Sequence, residues 1–161
     1  MRCCSYPSTS GRCIRAAGRP PTWGRAREGF TVNLPVPGGS GDALFRSLVD
    51  HLAVPLVRAY RPQLVLISAG YDAHRDDPLA GCTLTETGYA AMTRSMREAC
   101  RTVGAPIGCV LEGGYELDAL AASVAATMQA LAEPGAGGAS AVPDTDMATD
   151  ARARLARWWG I

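Results

Sequence analysis

Two polar segments of this 161-residue chain carry the residue types that could do chemistry. The first is Ser68-Ala69-Gly70-Tyr71-Asp72-Ala73-His74-Arg75-Asp76-Asp77-Pro78-Leu79, and the second is Glu112-Gly113-Gly114-Tyr115-Glu116-Leu117. Asp72 and His74 stand at i and i+2, so in an extended chain both side chains leave one face, and a small metal site is conceivable. Each residue also has a plain explanation. Asp72 would cap a turn through its own backbone, His74 would be a hydrogen-bonded loop side chain, and Tyr115 a packed aromatic with its hydroxyl at the surface. Gly113 and Gly114 permit close backbone approach or positive φ. Neither G-x-x-x-x-G-K-[ST] nor G-x-G-x-x-G occurs, so the glycine pair lacks the pattern of a phosphate-cradling loop.

The elements around these segments must bring them together. Phe30-Thr31-Val32-Asn33-Leu34-Pro35 reads as a short strand, closed by Pro35, Pro37 and the Gly38-Gly39-Ser40-Gly41 turn. Ser40 or Asp42 is expected to cap a helix over 43–60, which Pro55 would kink or split. Leu64-Val65-Leu66-Ile67-Ser68 and Ile107-Gly108-Cys109-Val110-Leu111 are apolar runs, as in parallel strands buried on both faces. Between them Thr85 with Gly88 starts a helix that runs through Met92, Met96 and Cys100 to a stop at Gly104 and Pro106. Leu117 to Leu131 makes a further, alanine-rich helix. Strand and helix alternate three times, which predicts an α/β fold: a parallel sheet flanked by helices in three layers. Ligands in such sheets sit at the carboxyl ends of the strands. If the two strands are neighbours, Asp72, His74 and Tyr115 come within reach of one another.

Outside this unit, residues 1–29 are rich in Arg, Gly, Pro, Ser and Cys without period, and read as irregular. The domain proper is expected over 30–133, a flexible linker over 134–147 and a C-terminal helix over 148–161. Leu155, Trp158 and Trp159 would lie on one side of that helix and pack back on the domain, with a self-association patch as the alternative. Net charge is +1 and all sixteen basic residues are arginine, which gives no steering toward nucleic acid or an anionic membrane. No run of eighteen apolar residues predicts a membrane span, and no apolar segment near the start reads as a secretory signal. The six cysteines, at 3, 4, 13, 82, 100 and 109, lack C-x-x-C spacing, so a reducing cytoplasm is the expected location.

Taken together the motifs are far more specific than their parts. Ser-Ala-Gly-Tyr-Asp-Ala-His-x-x-Asp-Pro-Leu, followed by Leu-Glu-Gly-Gly-Tyr-Glu-Leu, closely resembles the family of histone deacetylases, acetylpolyamine amidohydrolases and acetoin-utilisation proteins. Thr31-Val-Asn-Leu-Pro, Gly39-Ser-Gly-Asp42 and Arg61-Pro62-Gln-Leu-Val extend the resemblance over 29–133. It implies an arginase/deacetylase-like fold and a zinc-dependent amide hydrolase acting on acetyl-lysine or another acylated amine. By the same resemblance Asp72 matches a zinc ligand, and Tyr115 the donor to the developing oxyanion. Gly113 and Gly114 match the lining of an acyl tunnel, and Leu79 a substrate contact. His74 is not a ligand in that pattern. A neutral phenol suits the role given to Tyr115, because its hydrogen bond strengthens as charge develops.

The sequence also departs from the family. An upstream Asp-x-His and a tandem His-His, which would supply two more ligands and the general base, have no counterpart; the only histidines are His51 and His74. His51 beside Asp50, mid-helix, is expected to be structural. A single carboxylate holds zinc poorly, since affinity rests on convergent ligands. The expectation is therefore a C-terminal part of such a domain, inactive by itself, with an exposed apolar sheet edge. Residues 1–29 would then be an aberrant reading of the upstream region. A non-catalytic module that binds acyl-lysine or a protein is the alternative. A binuclear manganese hydrolase of the same fold would need Asp/His clusters that are not found. Oligomeric state is not legible.

Overall fold

The computed structural model describes residues 11–16, 29–79, 81–134 and 142–161. In chain order these form β1 (Gly11–Ala16), β2 (Val32–Pro37), α1 (Asp42–Leu48), a π-helical turn (Val49–Ala53), α2 (Val54–Tyr60), β3 (Val65–Gly70), α3 (Glu86–Val103), β4 (Ile107–Gly113), α4 (Leu117–Ala132) and α5 (Asp146–Trp159).

β3 and β4 are parallel neighbours joined through α3, with Val65 opposite Ile107 and Ala69 opposite Leu111. This is the expected parallel α/β arrangement with flanking helices, but the first strand is not part of it. β2 pairs antiparallel with β1, Val32 opposite Ala16 and Pro37 opposite Gly11. The three-strand parallel unit read from the sequence is thus a two-stranded parallel sheet and a separate hairpin-like pair among the described residues. Irregular backbone was expected throughout 1–29. Residues Gly11–Ala16 instead form a strand, and apart from Gly29 the rest of that stretch lies outside the described residues, as do residues 135–141 of the 134–147 linker.

The helix expected over 43–60 forms as one run interrupted by the π-helical turn just before Pro55. Proline has no N–H to return to the carbonyl four residues back, and the widened turn absorbs the missing bond. The capping expectation there is corrected. Gly41 precedes α1 with no side-chain cap; Ser40 Oγ donates to the carbonyl of Pro37, and Asp42 caps a different helix. α3 obeys its local signals: Thr85 Oγ1 accepts from Gly88 N–H at its start, and Gly104 ends it in the left-handed region at φ 74°.

The core joins Phe45, Leu48, Val49 and Leu52 of the first helical run to Leu84, Tyr89 and Met92 around α3 and to Ala148, Ala151 and Leu155 of α5. α5 therefore packs back on the domain, as expected. Trp159 does the docking: its ring meets Phe30 and Tyr60 edge-on at centroid distances of 5.2 and 5.9 Å, and Nε1 donates to the Gly29 carbonyl at 2.8 Å. Trp158 is partly open to solvent; it sits against the Gly29 backbone and under Arg157, whose guanidinium carbon is 3.6 Å from the ring centroid. His51 is structural, its Nε2 bonding the Val142 carbonyl at 2.9 Å. On the parallel sheet, Leu66, Val110 and Leu111 are exposed, as are Leu117 and Met128 of α4.

Candidate active site

Both polar segments emerge at the carboxyl ends of β3 and β4, the edge where parallel sheets place their ligands. The backbone joins them first: Tyr71 N–H donates to the Gly113 carbonyl at 2.8 Å. At that point the ladder slips. Ala69 faces Leu111, but Gly70 faces Gly113, so Glu112 is an extra residue in β4. The slip puts a residue without a side chain beside Asp72. A Cβ on Gly113 would lie 3.5 Å from the Asp72 carboxylate, in ordinary contact.

Tyr71 anchors this corner from below. Its ring is buried against Tyr89 of α3, edge-on at 5.0 Å. Burial pushes its phenol above the ordinary value. Gly114 is held by the same residue and by α4. Its φ is +131°, and a Cβ there would stand 2.8 Å from Leu120 Cδ1 and 3.2 Å from Tyr71 Cβ. Asp72, half-buried, follows directly on this anchor.

His74 does not join Asp72 in a site. It is 3 % exposed, its Nδ1 accepts from Asp76 N–H at 3.2 Å, and its Nε2 faces Glu86 Oε2 at 3.3 Å. With Nδ1 accepting, Nε2 carries the proton and donates to Glu86. Both ring nitrogens are thereby committed to the fold. Glu86 is held below its ordinary value first by its own backbone N–H and then by His74. The two ends of this loop are pinned: Leu84 N–H donates to Ala73, Arg75 N–H to Leu84, and Thr83 N–H to Ser40.

Asp77 belongs to the Asp-Pro-Leu segment that the family resemblance places at the edge of the site, but its bond to Tyr115 is not legible in the sequence. Only 7 % exposed, it accepts from Leu79 N–H through Oδ1 at 2.9 Å and from Tyr115 N–H through Oδ2 at 2.7 Å. The first bond is an Asx turn, and Asp-Pro is a legible turn signature. The second joins the two loops and leaves no mark in local sequence. Above this link the side chains of Leu79 and Tyr115 are open, at 60 % and 58 % exposure. Asp72, Gly113, Gly114, Leu79 and Tyr115 thus gather at one sheet edge, while His74 turns into the fold.

Among the described residues no group of three or more His, Cys, Asp or Glu side chains stands close enough to hold a metal ion. Asp72 offers a single half-buried carboxylate there. The two histidines of this sequence do not extend it, because one is spent on Val142 and the other on Glu86.

Its likeness to solved deacetylase domains makes this parallel α/β unit, as a class, a partial arginase/deacetylase-type domain. The chain belongs to the histone deacetylase domain family, whose pattern matches residues 5–131, starting well ahead of the Gly29 at which the motif resemblance begins. It is 42 % identical over 105 residues to "Histone deacetylase 14, chloroplastic" of Arabidopsis thaliana, covering 65 % of this chain and 25 % of that protein. It is 40 % identical over 92 residues to a "Probable deacetylase" of Archaeoglobus fulgidus, covering 56 % of this chain and 26 % of the relative. In structure it resembles the HDA15 HD domain with a TM-score of 0.70 and 33 % identity, covering 83 % of this chain and 36 % of that one. The chain therefore spans about a quarter of the length of these two curated relatives.

Proposed function

We propose that this chain is the tyrosine-bearing, C-terminal part of a zinc-dependent deacetylase that releases acetate or a short acyl group from acetyl-lysine or another acylated amine. The observation that carries the reading is the meeting of the two strand-end loops through Tyr71 N–H and the Gly113 carbonyl, which puts Asp72 and Tyr115 on one edge. Asp72 is the metal ligand. The Tyr115 phenol donates to the oxyanion as the carbonyl is attacked, Gly113 and Gly114 line the acyl channel, and Leu79 touches the substrate. In complete sites of this chemistry zinc polarises the carbonyl and lowers the pKa of a bound water. One carboxylate is too few for that, so the chain by itself is inactive and the other ligands come from outside it. The exposed Leu66, Val110 and Leu111 support incompleteness, since parallel sheets are ordinarily covered on both faces.

A non-catalytic module that binds acyl-lysine or a protein is the second reading, favoured by the commitment of both histidines to structural bonds. Net charge of +1 supports a partner other than nucleic acid. No helix among the described residues is long and apolar enough to cross a membrane. Cys82, Cys100 and Cys109 are unbridged, which supports a reducing compartment such as the cytoplasm.

The test has two arms. Purified chain is assayed for bound zinc and for hydrolysis of a fluorogenic acetyl-lysine peptide, with neither expected. Residues 29–133 are then exchanged into the matching segment of an active relative. Zinc-dependent turnover in that chimera, falling about 10²–10³-fold on Tyr115→Phe, is expected. A folded, zinc-loaded chimera without turnover would favour the binding module.

A further inference from the structure

We infer that Asp77 is a positioning residue that fixes the catalytic loop and the substrate-contact loop to one anchor, so that Tyr115 and Leu79 keep a set relation. This rests on the roles proposed above for those two residues. The geometry is specific. A carboxylate has two oxygens, and here each takes a backbone N–H from a different loop, Leu79 at 2.9 Å and Tyr115 at 2.7 Å. The group is buried, while both side chains that it supports are open to solvent.

Asp77 is itself tied down. Its N–H donates to the His74 carbonyl at 3.1 Å, and His74 is locked in place by Glu86 at the first turn of α3. The support of Tyr115 therefore runs through Asp77 and His74 to the start of α3, not only along β4. Charge-assisted bonds from backbone N–H to carboxylate are the stronger and more directional kind. A phenol that must meet a developing oxyanion is sensitive to small displacements, and a misplacement of about 1 Å is enough for a loss on the order of 100-fold. Leu79 contacts the substrate in the ground state as well, so its displacement is read in KM.

The test uses the chain as it exists. Site-resolved amide hydrogen exchange is compared for unsubstituted protein, Asp77→Asn and Asp77→Ala, alongside thermal melts. Asp77→Ala is expected to lose protection at the Tyr115 and Leu79 amides by about 10-fold or more, with the β3 and α3 amides unchanged. Asp77→Asn keeps one acceptor oxygen and is expected to retain protection at one of the two amides. Unchanged exchange at Tyr115, or a uniform loss across the chain, would overturn the inference. In an active chimera carrying residues 29–133, Asp77→Asn should lower kcat by about 10- to 100-fold, with a smaller rise in KM. Local loss of protection with an unaltered kcat would overturn the positioning role. A chimera with no turnover at all counts against the deacetylase reading, and the exchange result then decides this inference by itself.

Discussion

The carboxylate of Asp42, at the first position of α1, caps a helix to which it does not belong: it accepts from Thr85 N–H at 2.9 Å and from Thr85 Oγ–H at 2.6 Å. The Thr85 hydroxyl in turn accepts from Gly88 N–H at 3.2 Å, so three residues form one chain of bonds at the start of α3. An anion at a helix N-terminus is favoured by the free N–H groups and the helix dipole. Asp42→Ala is expected to lower stability by about 2 kcal/mol, read by denaturant titration. Gly88→Ala should be worse, because a Cβ there would collide with the same carboxylate.

The two glycines of the site should respond differently to alanine. At Gly114 the backbone is left-handed and a Cβ would crowd Leu120 and Tyr71; about 2–3 kcal/mol of stability is expected to be lost. At Gly113 the Cβ meets the Asp72 carboxylate at ordinary contact distance. Gly113→Ala should therefore leave the melting temperature within a few degrees of the parent. In an active chimera it should still depress turnover, by narrowing the space in front of Asp72. Equal destabilisation by the two changes would refute the distinction.

Acid should weaken the fold through a defined set of carboxylates. Glu133 is held below its ordinary value by the Arg94 guanidinium, Asp144 by Arg152, and Glu86 by its own N–H and then His74. A carboxylate depressed in the folded state binds protons more readily when unfolded, so its contribution is present above the unfolded value and is lost as pH falls through the folded one. Stability should accordingly decline as pH drops below about 4.5, the ordinary glutamate value. These groups are largely solvent-facing, so each share is small and salt-sensitive. Glu133→Gln should flatten that acid limb and lower stability slightly at pH 7; an unchanged acid limb would contradict the assignment.

The adjacent tryptophans are expected to separate cleanly. Trp159→Ala removes the edge-on contacts with Phe30 and Tyr60 and the bond to Gly29. A loss of about 2–3 kcal/mol is expected, below that for a fully buried ring, with a fall in near-ultraviolet dichroism. Trp158→Ala gives up the stacking with Arg157 and the contact with the Gly29 backbone, and should cost less than Trp159→Ala, about 1 kcal/mol.

Legibility in the sequence follows the range of the interactions. The apolar runs of β3 and β4, the Thr85 start and the Gly104 stop are local signals, and each element stands where they place it. The partner of β2 is β1, a pairing between segments with no periodic texture to announce it. Asp42 looks like the cap of its own helix because nothing nearby reveals that Thr85, 43 positions on, will compete for its oxygens. The site divides in the same way. The Asp77-Pro78 turn is visible in the sequence, but the bond from Asp77 to Tyr115 spans 38 positions and exists only once β3 and β4 are side by side. His74 illustrates the opposite error of spacing. Asp-x-His suggests a shared face only while the chain is extended, and here the chain turns at Asp72 and Ala73.

The one-residue slip at the top of β4 also acts as a ruler. With Glu112 as the extra residue, everything after it is delivered one step later than a straight ladder would deliver it. Deleting Glu112 would restore the ladder without touching any group that does chemistry. Gly113 would stay opposite Gly70, but the local bend and added twist that the extra residue gives the strand would be lost, and with them the direction in which the chain leaves toward Tyr115. The length of this short segment, counted in residues, is as much a part of the site's specification as the identity of the side chains it carries.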